Sequence, residues 1–198
     1  MMPSPGHPTM AFNFRDFAHD YVESLVETLS EMPLAPIEEF WKLVEAAREK
    51  NSTVHFIGNG GSAGTPSHSA GDWSKELGLK TISHVDNAAS LTAWANDTHY
   101  DNVFVGQLKT FAARGDLVVG FSGSGNSKNV LNGLELAKEI GCKTVAVTGD
   151  YMGKGGGKVV DIADVCIIVQ SDSMERIEDL QLVINHILKE AVKANNGL

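Results

Sequence analysis

The stretch Leu117–Asn129, LVVGFSGSGNSKN, decides how this chain folds. Its first five residues are almost continuously apolar, and a helical pattern follows it through Ile140. Between them lie three hydroxyls, Ser122, Ser124 and Ser127, alternating with Gly123 and Gly125. Strands buried on both faces read as unbroken Val/Ile/Leu runs, and a strand feeding directly into a helix is the unit of a parallel sheet. In such sheets ligands sit beyond the carboxyl ends of the strands, where this loop falls. Glycines let backbone amides approach an anion, a helix N-terminus adds partial positive charge, and serine hydroxyls donate to phosphate oxygens. An N-cap explains one serine but not three.

The same pattern repeats on either side. Thr53–Ile57 (TVHFI) predicts a strand that runs into Gly58–Ser62 (GNGGS) and a helix from about Pro66; Thr144–Thr148 and Val165–Val169 predict two more strands, with a short one at Thr81–Val85. Apolar residues spaced as on a helix predict α-helices over Phe14–Glu31, after Pro36, and from Glu175 to the C-terminus. The expected fold is α/β: a three-layer, doubly wound parallel sheet of about five strands, preceded by two helices. Residues 1–12, rich in proline, read as a disordered tail and 13–198 as one domain. GNGGS does not complete a G-x-G-x-x-G fingerprint, because position 63 is Ala, and no Gly-Lys-Ser/Thr makes it a P-loop. A tight turn and a ligand contact both remain open for it. Gly153–Lys158 (GKGGGK) reads as a flexible surface connection.

Composition narrows the partners. The chain has 198 residues, 42% hydrophobic and 21% charged, with a formal net charge of −9. That balance argues against nucleic acid but not against a small phosphate, which amides and hydroxyls bind without net charge. No run approaches the roughly 20 apolar residues of a membrane span. The N-terminus has neither the basic nor the apolar region of a signal peptide. Cys142 and Cys166 have no metal-type spacing and read as two buried free thiols, which fits a reducing, cytoplasmic setting.

GNGGSA after the first strand, LTAWAND at 91–97 and SGSGNSKN after a later strand resemble the sugar isomerase (SIS) domain. With RIEDLQLVINHIL at 176–188, the set is most similar to the phosphoheptose isomerase family, over nearly the whole chain from Asn13. The resemblance implies an SIS fold, aldose–ketose interconversion of a phosphorylated seven-carbon sugar through an enediol, and a cytoplasmic homotetramer. It implies substrate contacts from Asn59, Gly60, Gly61, Ser62, Asn96, Asp97, Ser122, Gly123, Ser124, Ser127 and Glu178. It places zinc or a similar divalent ion on His68, Asp72, Glu178 and His186, with Asp72 and His186 as the catalytic base and acid. The family pattern at the four metal positions reads His, Glu, Gln, His, so this chain shortens one carboxylate and replaces an amide with Glu178. A non-catalytic sugar-phosphate-binding or protein-interaction SIS protein is the alternative that those two departures raise.

Read from the residues alone, His68 and Asp72 lie four apart on one helix face and are equally suited to a solvated pair. His186 between apolar residues is equally suited to a core histidine, and Asn96–Asp97 to a helix stop. His55, His84 and His99 read as structural. Glu178 and His186 are eight residues apart, roughly 12 Å along a straight helix, so one metal is hard to reach from both. That spacing suggests a site shared between subunits of a homo-oligomer. Between Asp72 and the short strand, the compact WSKELGLK leaves Trp73 and Lys75 as candidate sugar contacts.

Overall fold

A computed structural model describes residues 11–198. The proline-rich segment expected to be a tail lies, up to residue 10, outside the described residues. Five strands, β1 (Thr53–Gly58), β2 (Lys80–Ser83), β3 (Leu117–Phe121), β4 (Lys143–Gly149) and β5 (Val165–Val169), form one sheet in the order β2-β1-β3-β4-β5. Every pairing is parallel, with Phe56 opposite Val119 and Val119 opposite Val145. Among the described residues seven α-helices surround it: α1 (Phe14–Ser30), α2 (Leu34–Glu49), α3 (Gly61–Leu77), α4 (Ala88–Asp97), α5 (Val103–Phe111), α6 (Lys128–Ile140) and α7 (Met174–Asn196).

Alternation along the strands divides the core in two. Val54, Phe56, Val119, Phe121, Val145 and Val147 point to one face, where they pack with Phe40 of α2, Trp73 of α3 and Ile177, Leu180 and Ile184 of α7. Ile57, Val118 and Ala146 point to the other, against Phe104 and Leu108 of α5 and Val130, Leu134 and Ala137 of α6. Both faces are covered, which is why the strands read as continuous apolar runs.

Four expectations need correction. The helix after GNGGS begins at Gly61, not near Pro66, which sits inside α3. Proline removes one helical hydrogen bond and so reads as a boundary, but tertiary contacts hold the first turn. Trp73 is no sugar contact: it is 1% exposed, packed edge-on to Phe56 with ring centroids 5.2 Å apart. The Gly153–Lys158 connection is at the surface, exposed at Gly153, Lys154, Gly155 and Lys158, but it is anchored: Gly156 is buried, and Gly156 and Gly157 lie against the serine loop. Cys166 is only half-buried, while Cys142 is buried; burial pushes both free thiols up to about 11.

His55 and His84 are structural, as read. Their rings stack, with Nδ1 of His55 3.1 Å from Nε2 of His84. The chain of contacts extends to Asp116 at 3.2 Å and Gln107 at 3.3 Å. His99 caps a short turn by accepting from the Asp101 amide.

Candidate active site

Two strand-to-helix turns lie side by side at the carboxyl ends of β1 and β3. In the first, a Cβ on Gly58 would run into the Ser62 carbonyl, and Gly60 has a φ of 59°, so glycine is required by the turn itself. Asn59 fastens this turn to the other. Its side-chain amide exchanges hydrogen bonds with that of Asn129, at 2.8 and 2.9 Å, and its Oδ1 also accepts from Tyr100 Oη at 2.9 Å.

The serine loop is held from behind. Ser122 N donates to the Val147 carbonyl, and Gly125 N donates to the Ser122 carbonyl. Gly125 has a φ of 61° and lies directly against Gly156, whose carbonyl accepts from Thr148 Oγ1 at 3.1 Å. Val159 N donates to the Gly125 carbonyl, and Lys158 N donates to Asn126 Oδ1. Ser124 Oγ accepts from the Asn126 amide at 3.3 Å. Ser127 is the N-cap residue of α6, yet its side chain makes no capping bond; Ser122 Oγ lies 3.4 Å from it. Neither α3 nor α6 has an acidic residue in its first turn or a side-chain N-cap bond.

Asn59, Ser62, Ser122, Gly123, Ser124, Ser127 and Glu178 line a cavity of about 240 Å³, closed below by Phe121 and Met174. No lysine or arginine is among its lining residues. Glu178 reaches it from α7 and stands over the first turn of α3, its carboxylate directly against Gly61. Burial raises its carboxyl above the usual value; the Ser62 amide opposes this, and the neighbouring charges of Glu175 and Asp179 add to it. Glu178 also lines a second, larger cavity of about 500 Å³ with Gly61, Thr65, His68, Val183 and His186.

His68, Asp72 and His186 converge at that second cavity. Their Nε2 atoms are 3.0 Å apart, and Asp72 Oδ2 lies 3.2 Å from His68 and 3.9 Å from His186. Two imidazole nitrogens this close cannot both carry a proton, so the pair is suited to sharing a cation. Two imidazoles and a carboxylate, with ligand atoms all within 4.8 Å of one another, are a donor set that fits zinc or a similar ion. Asp72 also meets Lys189, whose Nζ is 3.2 Å from Oδ2. Burial alone would push the Asp72 carboxyl up; the Lys189 hydrogen bond and the charges of His68, Lys189 and His186 outweigh it and hold it below the usual value.

Why Glu178 stands apart is a matter of helix register. Helices α3 and α7 run parallel, and their partners keep a nearly constant sequence offset. It is 118 for His68–His186, and 117 for both Asp72–Lys189 and Glu76–Lys193. Glu178 meets the start of α3 at Ser62, whereas His186 meets it about two turns further on. Of the four expected metal residues, three come together and Glu178 bridges toward the serine loop instead. Asn96 and Asp97 end α4; their side chains bond to each other at 2.8 Å, and Asp97 lines a separate cleft with Trp94 and Thr98. Lys189 was missed by sequence reading, although its position one turn after His186 is the signal that would have found it.

The SIS domain family matches residues 16–149 of this chain. The chain is 32% identical to the phosphoheptose isomerase of Aliarcobacter butzleri over 176 residues, covering 86% of this chain and 89% of that protein. It is 37% identical to a probable phosphoheptose isomerase of Thermoplasma volcanium, covering 85% and 87% respectively. Among solved structures, the phosphoheptose isomerase of Neisseria gonorrhoeae superposes with a TM-score of 0.87 at 24% identity, over 92% of this chain and all of that one. That last likeness bears on the fold.

Proposed function

Because the chain belongs to the phosphoheptose isomerase family of SIS-domain proteins, we propose that it interconverts sedoheptulose 7-phosphate and an aldoheptose 7-phosphate. The observation that carries this reading is Glu178, which lines both the serine-loop cavity and the histidine cavity and so makes them one site. The phosphate sits in the smaller part, taking hydrogen bonds from the hydroxyls of Ser62, Ser122, Ser124 and Ser127 and from the amides at Gly60, Gly61 and Gly123. With Glu178 as the charged residue of the lining and no lysine or arginine in it, charge balance at the phosphate depends on two helix N-termini.

The sugar then extends toward His68, Asp72 and His186. The Asp72 carboxylate takes the proton from C1 of the ketose while His186 delivers a proton to the carbonyl oxygen at C2, giving the enediol. Return of a proton to C2, with loss of the O1 proton to the same histidine, gives the aldose. A zinc-class ion held by His68, Asp72 and His186 supplies polarisation of the substrate oxygens when bound. Residues 13–198 act as one cytoplasmic SIS domain. A homotetramer with shared sites is the proposed assembly, supported by the exposed apolar residues Phe14, Phe17, Val22 and Val26 along α1.

The test is incubation of the pure protein with sedoheptulose 7-phosphate, with and without zinc, followed by NMR of the products. Formation of an aldoheptose phosphate is expected. Tight binding without turnover would favour a sugar-phosphate-binding role, the reading that the Asp72–Lys189 ion pair supports. Light scattering tests the tetramer; full activity in a monomer would sink the shared site.

A further inference from the structure

We propose that Lys189 is a resident cation at the metal site, which a divalent ion must displace from Asp72 in order to bind. The inference rests on the reading that His68, Asp72 and His186 hold such an ion. Asp72 is the only carboxylate in that group, and Lys189 Nζ already lies 3.2 Å from its Oδ2. The Lys189 side chain is 12% exposed, so the ion pair is little diluted by water.

The surroundings also give the ammonium somewhere to go. Nζ lies 3.4 Å from Glu76 Oε1 and 3.5 Å from Glu190 Oε1, while Lys193 meets Glu76 at 3.0 Å and Glu190 at 3.5 Å. Asp72 and Glu76 are four apart on one face of α3, with Lys189 opposite both. When a divalent ion takes Asp72, Lys189 keeps the Glu76 and Glu190 partners and loses one contact of three. Lys189 therefore lowers metal affinity without blocking metal entry, and a site emptied of metal keeps its carboxylate paired. The carboxylate that the ion needs is also the proposed base, so ammonium and ion compete for one and the same group.

The experiment is calorimetric titration of the full chain with zinc chloride, with circular dichroism of each variant to establish folding. Lys189→Met keeps the aliphatic stem and removes the charge; zinc binding about tenfold tighter or more is expected, whereas Lys189→Arg stays close to the parent. Glu76→Gln removes the resting partner at a half-buried position with a side chain of the same shape. It weakens zinc binding several-fold in the parent chain and changes little in the Lys189→Met background. Equal zinc affinity in the parent and Lys189→Met overturns the inference alone, as does an equal effect of Glu76→Gln in both backgrounds. No zinc binding in any variant overturns both the inference and the metal reading beneath it.

Discussion

Replacing Gly125 with alanine tests whether the serine loop is held in place by the glycine-rich segment behind it. Gly125 has a φ of 61°, a left-handed conformation that costs an alanine about 1–2 kcal/mol. A Cβ there would also overlap the Gly156 carbonyl and stand 2.9 Å from Thr148 Oγ1. Backbone cannot rotate aside as a flexible side chain can, so Gly156 must move. Moving it strains the Thr148–Gly156 and Val159–Gly125 hydrogen bonds, each worth about 1 kcal/mol. The whole cost is on the order of 3–4 kcal/mol. Gly153→Ala is the matched control: its φ is 66°, yet nothing lies within 4 Å of its Cβ, so only the conformational cost applies. For a chain this long each kcal/mol lowers Tm by about 2–4 °C, so Gly125→Ala should melt about 10 °C below the parent and the control about 4 °C below. Calorimetric affinity for sedoheptulose 7-phosphate should fall about tenfold or more in Gly125→Ala and hold in the control, since a displacement near 1 Å suffices to misplace the hydroxyls. If the two variants melt together, or if Gly125→Ala binds as the parent does, the buttress has no role in presenting the loop.

Burial and the neighbouring charge of His55 push His84 down to about 4, against the opposing hydrogen bond that its Nδ1–H donates to Gln107 Oε1. Its unfolded value is near 6.5, so its stabilisation is complete above that pH and is lost as pH falls toward 4, at about 1.4 kcal/mol per pH unit. Urea denaturation between pH 7 and 4.5 should show this slope flattened in His84→Gln; an unchanged slope contradicts the assignment. Asp72→Glu combined with Glu178→Gln restores the family's residues and should raise heptose isomerisation in an NMR assay, whereas a loss would mean the site is tuned to another substrate. Trp73→Ala should cost about 3–5 kcal/mol in denaturant titrations without altering sugar specificity, because Trp73 belongs to the core. A change in substrate preference with unchanged stability would return it to the pocket.

Elements whose identity is written in local pattern were legible. β3 and β5 begin and end where the apolar runs do, because strands buried on both faces have no polar interruptions. The two glycine-serine turns sit where the apolar runs of β1 and β3 end. Elements defined by tertiary contact were not legible. Helix α5 (VFVGQLKTF) lacks a polar face clear enough to show a helical period and passed unnoticed, although it buries Val103, Phe104 and Leu108 under the sheet. The start of α3 lies against Glu178, more than a hundred residues away. The site was legible as an inventory of residues but not as a set of partners. His68 and Asp72 are linked by spacing within one helix, while their relation to His186, Lys189 and Glu178 follows from how α7 lies along α3.

That alignment of two parallel helices has a consequence for how the site fails. Its contacts are spaced like the teeth of a zip: Ser62 with Glu178, His68 with His186, Asp72 with Lys189, Glu76 with Lys193. A slip of α7 along α3 by one turn, about 5.4 Å, would unmatch every tooth together. Loss of the amide partner at one end, of the imidazole pair in the middle and of the ion pairs at the other would come as a single event. Partial unfolding of the C-terminal helix should therefore abolish phosphate grip and proton transfer in the same step, leaving no half-working enzyme.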